Sequence, residues 1–172
     1  MKGERIIGIC LAVLLMVGCG SRGPQRPSQR KSEPPQADSA SLALLELNQQ
    51  LTVRADEQVA KAAKAQKAPF ALYERGTWAY RQQAGQGETI REGERCSLGM
   101  KVYSLSGQLY IDTELSALAG KYELPAAIDA NITEWKHGDR ITLLAPWYAA
   151  FGIKGTEHVP PYENVRIELE IR

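Results

Sequence analysis

The sequence predicts an α+β domain: a small antiparallel sheet with one short helix available to cover it, and a further helix before it. Residues 165–171 alternate apolar and charged side chains, which is the pattern of a half-buried strand. Residues 96–103 alternate in the same way. Between these runs, Ile128, Ile132 and Trp135 fall on one helical face. Strands of this kind with a single helix to cover them indicate the α+β class.

The remaining elements follow in chain order. Alternation and apolar runs predict strands at residues 78–82, 96–103, 109–111 and 140–145, and from residue 165 onward. Pro125 is placed to start the short helix, and Asp129 and Glu134 are expected on its solvated face. The turn at residues 137–139 separates this helix from the strand at 140–145.

Residues 39–69 predict an amphipathic helix that precedes the domain of residues 70–172. One apolar stripe runs at spacings of three and four, formed by Leu44, Leu47, Leu51, Ala55, Val59 and Ala62. The stripe thins to alanines in its second half, which is therefore expected to bind weakly or fray. Because an isolated helix is marginal in water, it packs either on the domain or on another protein.

The N-terminus predicts a signal peptide at residues 1–18, with a basic start and an apolar middle too short to span a bilayer. The sequence MVGC, ending at Cys19, resembles a bacterial lipobox, which implies a lipid on Cys19; a simple cleaved signal is the alternative. Residues 19–38 are polar and proline-rich and predict a disordered tether. Gly20 carries no inner-membrane retention cue, so an outer-membrane lipoprotein of the bacterial envelope, with its domain in the periplasm, is expected.

Charge and cysteine content exclude several kinds of partner and site. Without residues 1–18 the chain has equal numbers of basic and acidic residues, which argues against a nucleic-acid partner. Cys96 alternates with apolar residues and is expected to be a core residue, not a nucleophile. His137 and His158 stand alone without the spacing of metal ligands, so neither a metal nor a cofactor is expected.

Several motifs in order give residues 70–172 a resemblance to a known family. They are GQG at 85–87, EGER at 92–95, GQLY at 107–110, HGDR at 137–140 and PWYAAFG at 146–152, followed by VPPYENV at 159–165. Together they resemble an FKBP-type peptidyl-prolyl cis-trans isomerase domain. The lipobox, NQQL at 48–51 and GTWAYRQQ at 76–83 are similar to FKBP-like lipoproteins of Bacteroidetes-type bacteria, including gliding-motility isomerase-like proteins.

The resemblance implies an FKBP-like antiparallel sheet of about five strands curled around the short helix. It also implies a hydrophobic pocket between the sheet and the helix, with residues 147–162 as one wall. It assigns catalytic roles to Tyr110, Phe151 and Ile128. It assigns substrate binding to Met100, Ile111, Asp112, Leu124, Pro125 and Ile167. The family usually has tyrosine, tryptophan and phenylalanine at the positions of Met100, Ile128 and Ile167. The usual aspartate is replaced by Ile111, with Asp112 one place later, so a more aliphatic pocket is expected.

The activity that this resemblance implies is isomerisation of X–Pro bonds in envelope or secreted proteins. Rotation about the amide breaks no bond, so it needs no nucleophile, metal or cofactor. The alternative is a catalytically weak FKBP-like binding module, either a chaperone or a subunit of an envelope assembly. The expected partners are a proline-containing polypeptide and the lipid bilayer through Cys19, with another envelope protein as the alternative partner of the helix at 42–66.

Overall fold

The computed structural model describes residues 39–172. The predicted signal peptide at 1–18, the lipid site at Cys19 and the tether at 19–38 lie outside the described residues. Within residues 39–172, no helix is long and apolar enough to cross a membrane.

The described residues form one antiparallel six-stranded sheet and two α-helices, which confirms the predicted α+β class. The helices are α1 (Ser39–Ala65) and α2 (Ala126–Asp129), with short 3-10 turns at Glu74–Gly76 and Ile132–Glu134. The strands are β1 (Ala71–Leu72), β2 (Trp78–Gln83), β3 (Arg95–Ser104), β4 (Leu109–Leu118), β5 (Arg140–Ala145) and β6 (Val165–Ile171). Their order across the sheet is β1-β2-β5-β6-β3-β4.

The strand β4 extends well beyond the three residues predicted for it. It pairs along the whole of β3, from Arg95 opposite Leu118 to Tyr103 opposite Leu109. It is an edge strand, and only one of its residues, Ala117, is fully buried. The mostly polar segment 112–116 of β4 therefore resembles a loop in the sequence, although the long partner strand holds it extended.

The inner face of the sheet carries the main core. Val102 on β3, Ile167 on β6 and Leu143 on β5 are directly opposite one another and are fully buried. Helix α2 and the 3-10 turn after it cover this face, and their apolar side chains Ile128, Ile132 and Trp135 are also fully buried. The helical face predicted from spacing is thus the one that covers the sheet.

The outer face of the sheet is partly covered by the second half of α1. Ala55, Val59 and Ala63 are buried, and Val59 and Ala63 share a second apolar cluster with Leu144 of β5. The leucine-rich first half is exposed, with Leu44 61% accessible. The second half, which was expected to bind weakly or fray, is therefore the half that docks on the sheet. Alanines have small side chains, which lets the helix backbone approach the sheet closely.

Two hydrogen bonds also join α1 to the loop between β5 and β6. The Tyr148 hydroxyl donates to Asp56, and the Asn164 amide Nδ2 donates to Gln58 Oε1 at 2.8 Å. Burial and the nearby Asp56 carboxylate raise the pKa of Tyr148 above its ordinary value, so the phenol is the form that the fold retains. Helix α1 thus supports this loop from the outside.

We expect Val59→Ala to lower the free energy of unfolding by about 1–3 kcal/mol, because it removes two buried methyl groups and leaves a cavity. Val53→Ala is the matched control, since Val53 lies on the same helix and is 55% accessible. It should change stability by less than about 0.5 kcal/mol. Urea denaturation of the full chain measures both values. Equal stability of the two variants would contradict docking of α1 on the sheet.

We expect Tyr148→Phe to destabilise the protein by about 1–3 kcal/mol, because Asp56 loses its hydroxyl donor. The difference from the parent should be constant below about pH 10 and shrink at higher pH, because the raised pKa of the folded state makes ionisation of Tyr148 destabilising. Tyr103→Phe is the control, since its hydroxyl lies a long 3.4 Å from Glu168. A cost as large for Tyr103→Phe would contradict a specific role for the Tyr148 bond.

Candidate functional site

Three of the predicted site residues share the inner face of the sheet. Ile111 and Ile167 both lie directly opposite Val102, one on each side of β3. Directly opposed residues in a sheet project to the same face, so Ile111 and Ile167 flank the fully buried Val102. Met100 is two residues along β3, opposite Leu169, and projects to the same face. The strands thus bring Met100, Ile111 and Ile167 together.

Asp112 lies on the opposite face from these residues. It is opposite Lys101 on β3, and its carboxylate is 3.0 Å from the Lys101 ammonium group. Hydrogen bonding to Asp112 raises the pKa of Lys101. Because side chains alternate between faces along a strand, Asp112 cannot share the inner face with Ile111. The structure therefore separates Asp112 from the other predicted substrate-binding residues.

Tyr110 lies at an irregularity in the pairing of β3 and β4. The register shifts between the pairs Val102–Ile111 and Tyr103–Leu109, which leaves Tyr110 as the extra residue of a bulge. Its ring is half-buried against the main core, and its hydroxyl donates to Glu163 Oε1 at 3.2 Å. Burial raises the pKa of Tyr110, and the nearby Glu163 carboxylate raises it further. The side chain therefore connects the edge of the sheet to the segment before β6.

Helix α2 positions the next group of predicted residues. Leu124 and Ile128 are buried and Pro125, directly before the helix, is half-buried. The backbone N–H of Ala127 donates to the Ala149 carbonyl at 2.7 Å. This bond holds the start of α2 against the loop that carries Phe151.

Asp129 organises the turn before α2, contrary to the expected position on a solvated face. It is only 7% accessible. Its two carboxylate oxygens accept hydrogen bonds from the backbone N–H groups of Gly120 and Tyr122, at 3.0 and 2.9 Å. Tyr122 has a φ of 60°, a conformation that non-glycine residues rarely adopt. The carboxylate thus fixes the unusual turn that leads into Leu124 and Pro125.

The loop between β5 and β6, residues 146–164, closes on itself around Trp147. The backbone N–H of Trp147 donates a hydrogen bond to the Asn164 side-chain oxygen at 2.9 Å, which joins the two ends of the loop. The indole is buried and makes edge contacts with the rings of Tyr148 and Tyr162 at centroid distances of 5.6 and 5.0 Å. Trp147 is therefore a packing residue, whereas Tyr148 and Phe151 are half-exposed against the main core.

A short series of contacts links Phe151 to Tyr110. Gly152, next to Phe151, accepts a hydrogen bond from the Tyr162 N–H, and Glu163, next to Tyr162, accepts the Tyr110 hydroxyl. Tyr110, Ile111 and Phe151 are half-exposed and pack on the main core. By contrast, Ile128 and Ile167 have 0% accessible surface, and Met100 and Leu124 have 6% and 8%. A ligand can therefore reach the first group directly, whereas the second lies beneath the surface.

A polar cluster at the other end of β3 was not indicated by spacing along the chain. Glu94 and Cys96 at the start of β3 meet His137 in the turn before β5, with one ligand atom of each within 4.8 Å of the others. His137 Nε2 is 2.8 Å from Glu94 Oε1, and Nδ1 is 2.7 Å from the backbone oxygen of Arg172. The carboxylate raises the pKa of His137, and burial raises that of Cys96. Cys96 is buried, as expected for a core residue.

The structure is similar to solved structures of peptidyl-prolyl isomerases and immunophilins, although the sequence matches no family model and no curated protein. A peptidyl-prolyl cis-trans isomerase from Pseudomonas syringae pv. tomato matches 71% of this chain and 92% of its own, with a TM-score of 0.60 and 14% identity. A multi-domain immunophilin from Arabidopsis thaliana matches 61% of this chain and 45% of its own, with a TM-score of 0.54 and 20% identity.

A third similar structure is the N-terminal domain of FKBP42 from Arabidopsis thaliana. It matches 62% of this chain and 91% of its own length, with a TM-score of 0.54 and 19% identity. At these identities the likeness establishes the architecture alone. The chain has the fold of the FKBP-type peptidyl-prolyl isomerases.

Proposed function

We propose that this protein is a peptidyl-prolyl cis-trans isomerase that acts on envelope or secreted proteins. The observation that carries the proposal is that Tyr110, Ile111 and Phe151 are half-exposed and pack against the same core, which also contains Ile128 of α2. The same fold occurs in a protein named as a peptidyl-prolyl isomerase. An apolar surface of this kind can hold a prolyl ring, and burial of such a ring contributes about 1.5–3 kcal/mol.

Isomerisation on this surface relies only on binding the twisted amide more tightly than the planar amide. Amide resonance sets a barrier of about 18–20 kcal/mol to rotation, and the twisted amide has lost part of that resonance. An environment that excludes water suits the less polar twisted form better than the planar one. In this proposal Tyr110 and Phe151 grip the ring from two sides, while Ile111 and Pro125 complete the contact surface. Ile128 supports these residues from below as the floor.

The contact roles of the remaining predicted residues are more limited. Ile167 and Ile128 have no accessible surface, so a substrate touches them only after the side chains above them move. Met100 and Leu124 expose less than a tenth of their surface and can contribute edge contacts. Asp112 projects from the opposite face, paired with Lys101, and takes no part in the proposed site.

The second candidate function is a catalytically weak binding module, either a chaperone or a subunit of an envelope assembly. Two observations favour it. The floor at Ile128 is fully covered, which leaves a shallow surface in place of a deep pocket. The hydroxyl of Tyr110 is held by Glu163, and Phe151 has no hydroxyl, so few donors are free to fix the substrate carbonyls. Such a surface binds prolyl segments without strongly favouring the twisted state.

The proposed location is the bacterial envelope, with a lipid on Cys19 that holds the domain at the periplasmic side of the outer membrane. The lipobox-like sequence and the apolar segment before it support this location. The exposed leucines at the start of α1 support a further proposal, that residues 42–66 contact another envelope protein as well as the sheet. Leu42, Leu44, Leu45 and Leu47 are each at least 50% accessible.

Phe151→Ala should lower kcat/KM for a proline-containing peptide by about tenfold to a hundredfold, because it removes an aromatic contact with the prolyl ring. A protease-coupled assay on the full chain measures it, with the melting temperature as a check on folding. Phe70→Ala is the matched control, because the chain has two phenylalanines and Phe70 packs in the outer-face cluster. Parent activity no higher than that of Phe151→Ala would remove the enzyme and leave the binding module.

Cys19→Ser should abolish incorporation of labelled palmitate and release the protein from the membrane fraction, because the acylated sulfur is lost. Cys10→Ser is the control, since Cys10 lies inside the apolar run of the predicted signal peptide. Its label should match that of the parent. Label retained in Cys19→Ser would contradict the lipoprotein proposal, and a soluble, unlabelled parent would favour a simple cleaved signal.

A further inference from the structure

Three side chains of different chemistry meet at the start of β3, away from the proposed prolyl site. Glu94, Cys96 and His137 supply a carboxylate, a thiol and an imidazole, the three groups that bind zinc most often in proteins. Cys96 and Val102 are six residues apart on β3, which places this cluster about 20 Å from the row that contains Ile111. The cluster therefore has no part in the proposed isomerase site.

The contacts of His137 fix which ring nitrogen can bind a metal. The Arg172 backbone oxygen can only accept a hydrogen bond, so His137 Nδ1, 2.7 Å away, carries a proton. In the neutral ring, the lone pair of Nε2 then points at Glu94 Oε1, 2.8 Å away. Two electron-rich atoms in this position need a cation between them, either a proton or a metal. Metal-binding histidines commonly donate their second N–H to a carbonyl in this way.

Cys96 completes the set from the buried side. The residue is 1% accessible, whereas the side chains of Glu94 and His137 are 36% and 29% accessible, so an ion could enter from their side. Zinc binds nitrogen and oxygen at about 2.0–2.2 Å and sulfur at about 2.3 Å, which requires ligand atoms roughly 3.3–3.8 Å apart. The three atoms lie within 4.8 Å of one another, so small side-chain rotations would satisfy this geometry.

We propose that Glu94, Cys96 and His137 bind one zinc ion, with the fourth position open to water. Binding releases the thiol proton of Cys96, together with any proton shared between His137 and Glu94. The carboxylate and thiolate then balance the two charges of the ion. Because His137 also holds the Arg172 backbone oxygen, the ion would connect the start of β3, the turn before β5 and the end of β6.

The test uses the full chain with Cys10 and Cys19 replaced by serine, so that Cys96 is the sole thiol. Zinc is titrated in competition with a chromogenic chelator, and Co²⁺ is used as a spectroscopic probe. We expect one equivalent of zinc, a higher melting temperature with zinc, and a thiolate-to-cobalt charge-transfer band. Glu94→Gln and His137→Gln should each weaken zinc binding by at least about tenfold, and Cys96→Ala should remove the band.

His158→Gln is the matched control, because it removes an exposed histidine that lies outside the cluster. It should bind zinc as the parent does. The proposal is overturned if the parent binds no zinc, if Glu94→Gln and His137→Gln bind as tightly as the parent, or if cobalt binds without a charge-transfer band. If Cys96→Ala does not fold, Glu94→Gln and His137→Gln still decide the test, because both residues are partly exposed and their replacement disturbs the core less. Isomerase activity is not a readout, so this result is independent of the proposed function.

Discussion

The strand β5 imposes the main constraint on the fold, because it must be covered on both faces. Ile141, Leu143 and Ala145 face the inner core, while Thr142 and Leu144 face outward, and all five residues are buried. A strand in this position needs a layer on each side, as in sheets that are packed between helices. Helix α2 and the 146–164 loop cover one side and α1 the other. The long helix is therefore part of the domain.

Strand positions were predictable wherever one face is apolar and turns mark the ends. The strands β5 and β6 have the predicted starts, because charged residues on β6 alternate cleanly and a Gly-Asp turn precedes β5. The rest of β4 was missed because an edge strand takes its extended form from its partner, here the ten-residue β3. Which half of α1 docks was not predicted, because the apolar stripe is strongest where its side chains are large, whereas small side chains let a helix approach a sheet closely.

Residue types at the candidate site were predictable, but their depth was not. Ile111 and Asp112 lie on opposite faces because side chains alternate along β4, but the predicted strand ended at residue 111 and so gave Asp112 no face. The full burial of Ile128 depends on how the loop packs over it, which no local pattern encodes. Asp129 was misplaced because its partners are backbone N–H groups of a preceding turn. The approach of His137 to Glu94 joins positions about forty residues apart and follows only from the paired strands.

Only the second half of α1 docks on the sheet, and the undocked first half has a definite length. Ala55 is the first buried residue of α1, and none of the sixteen helical positions before it, 39–54, is fully buried. At 1.5 Å per residue they form a rod about 24 Å long. The exposed leucines of α1 therefore lie on a length of helix that projects up to about 24 Å beyond the segment docked on the sheet.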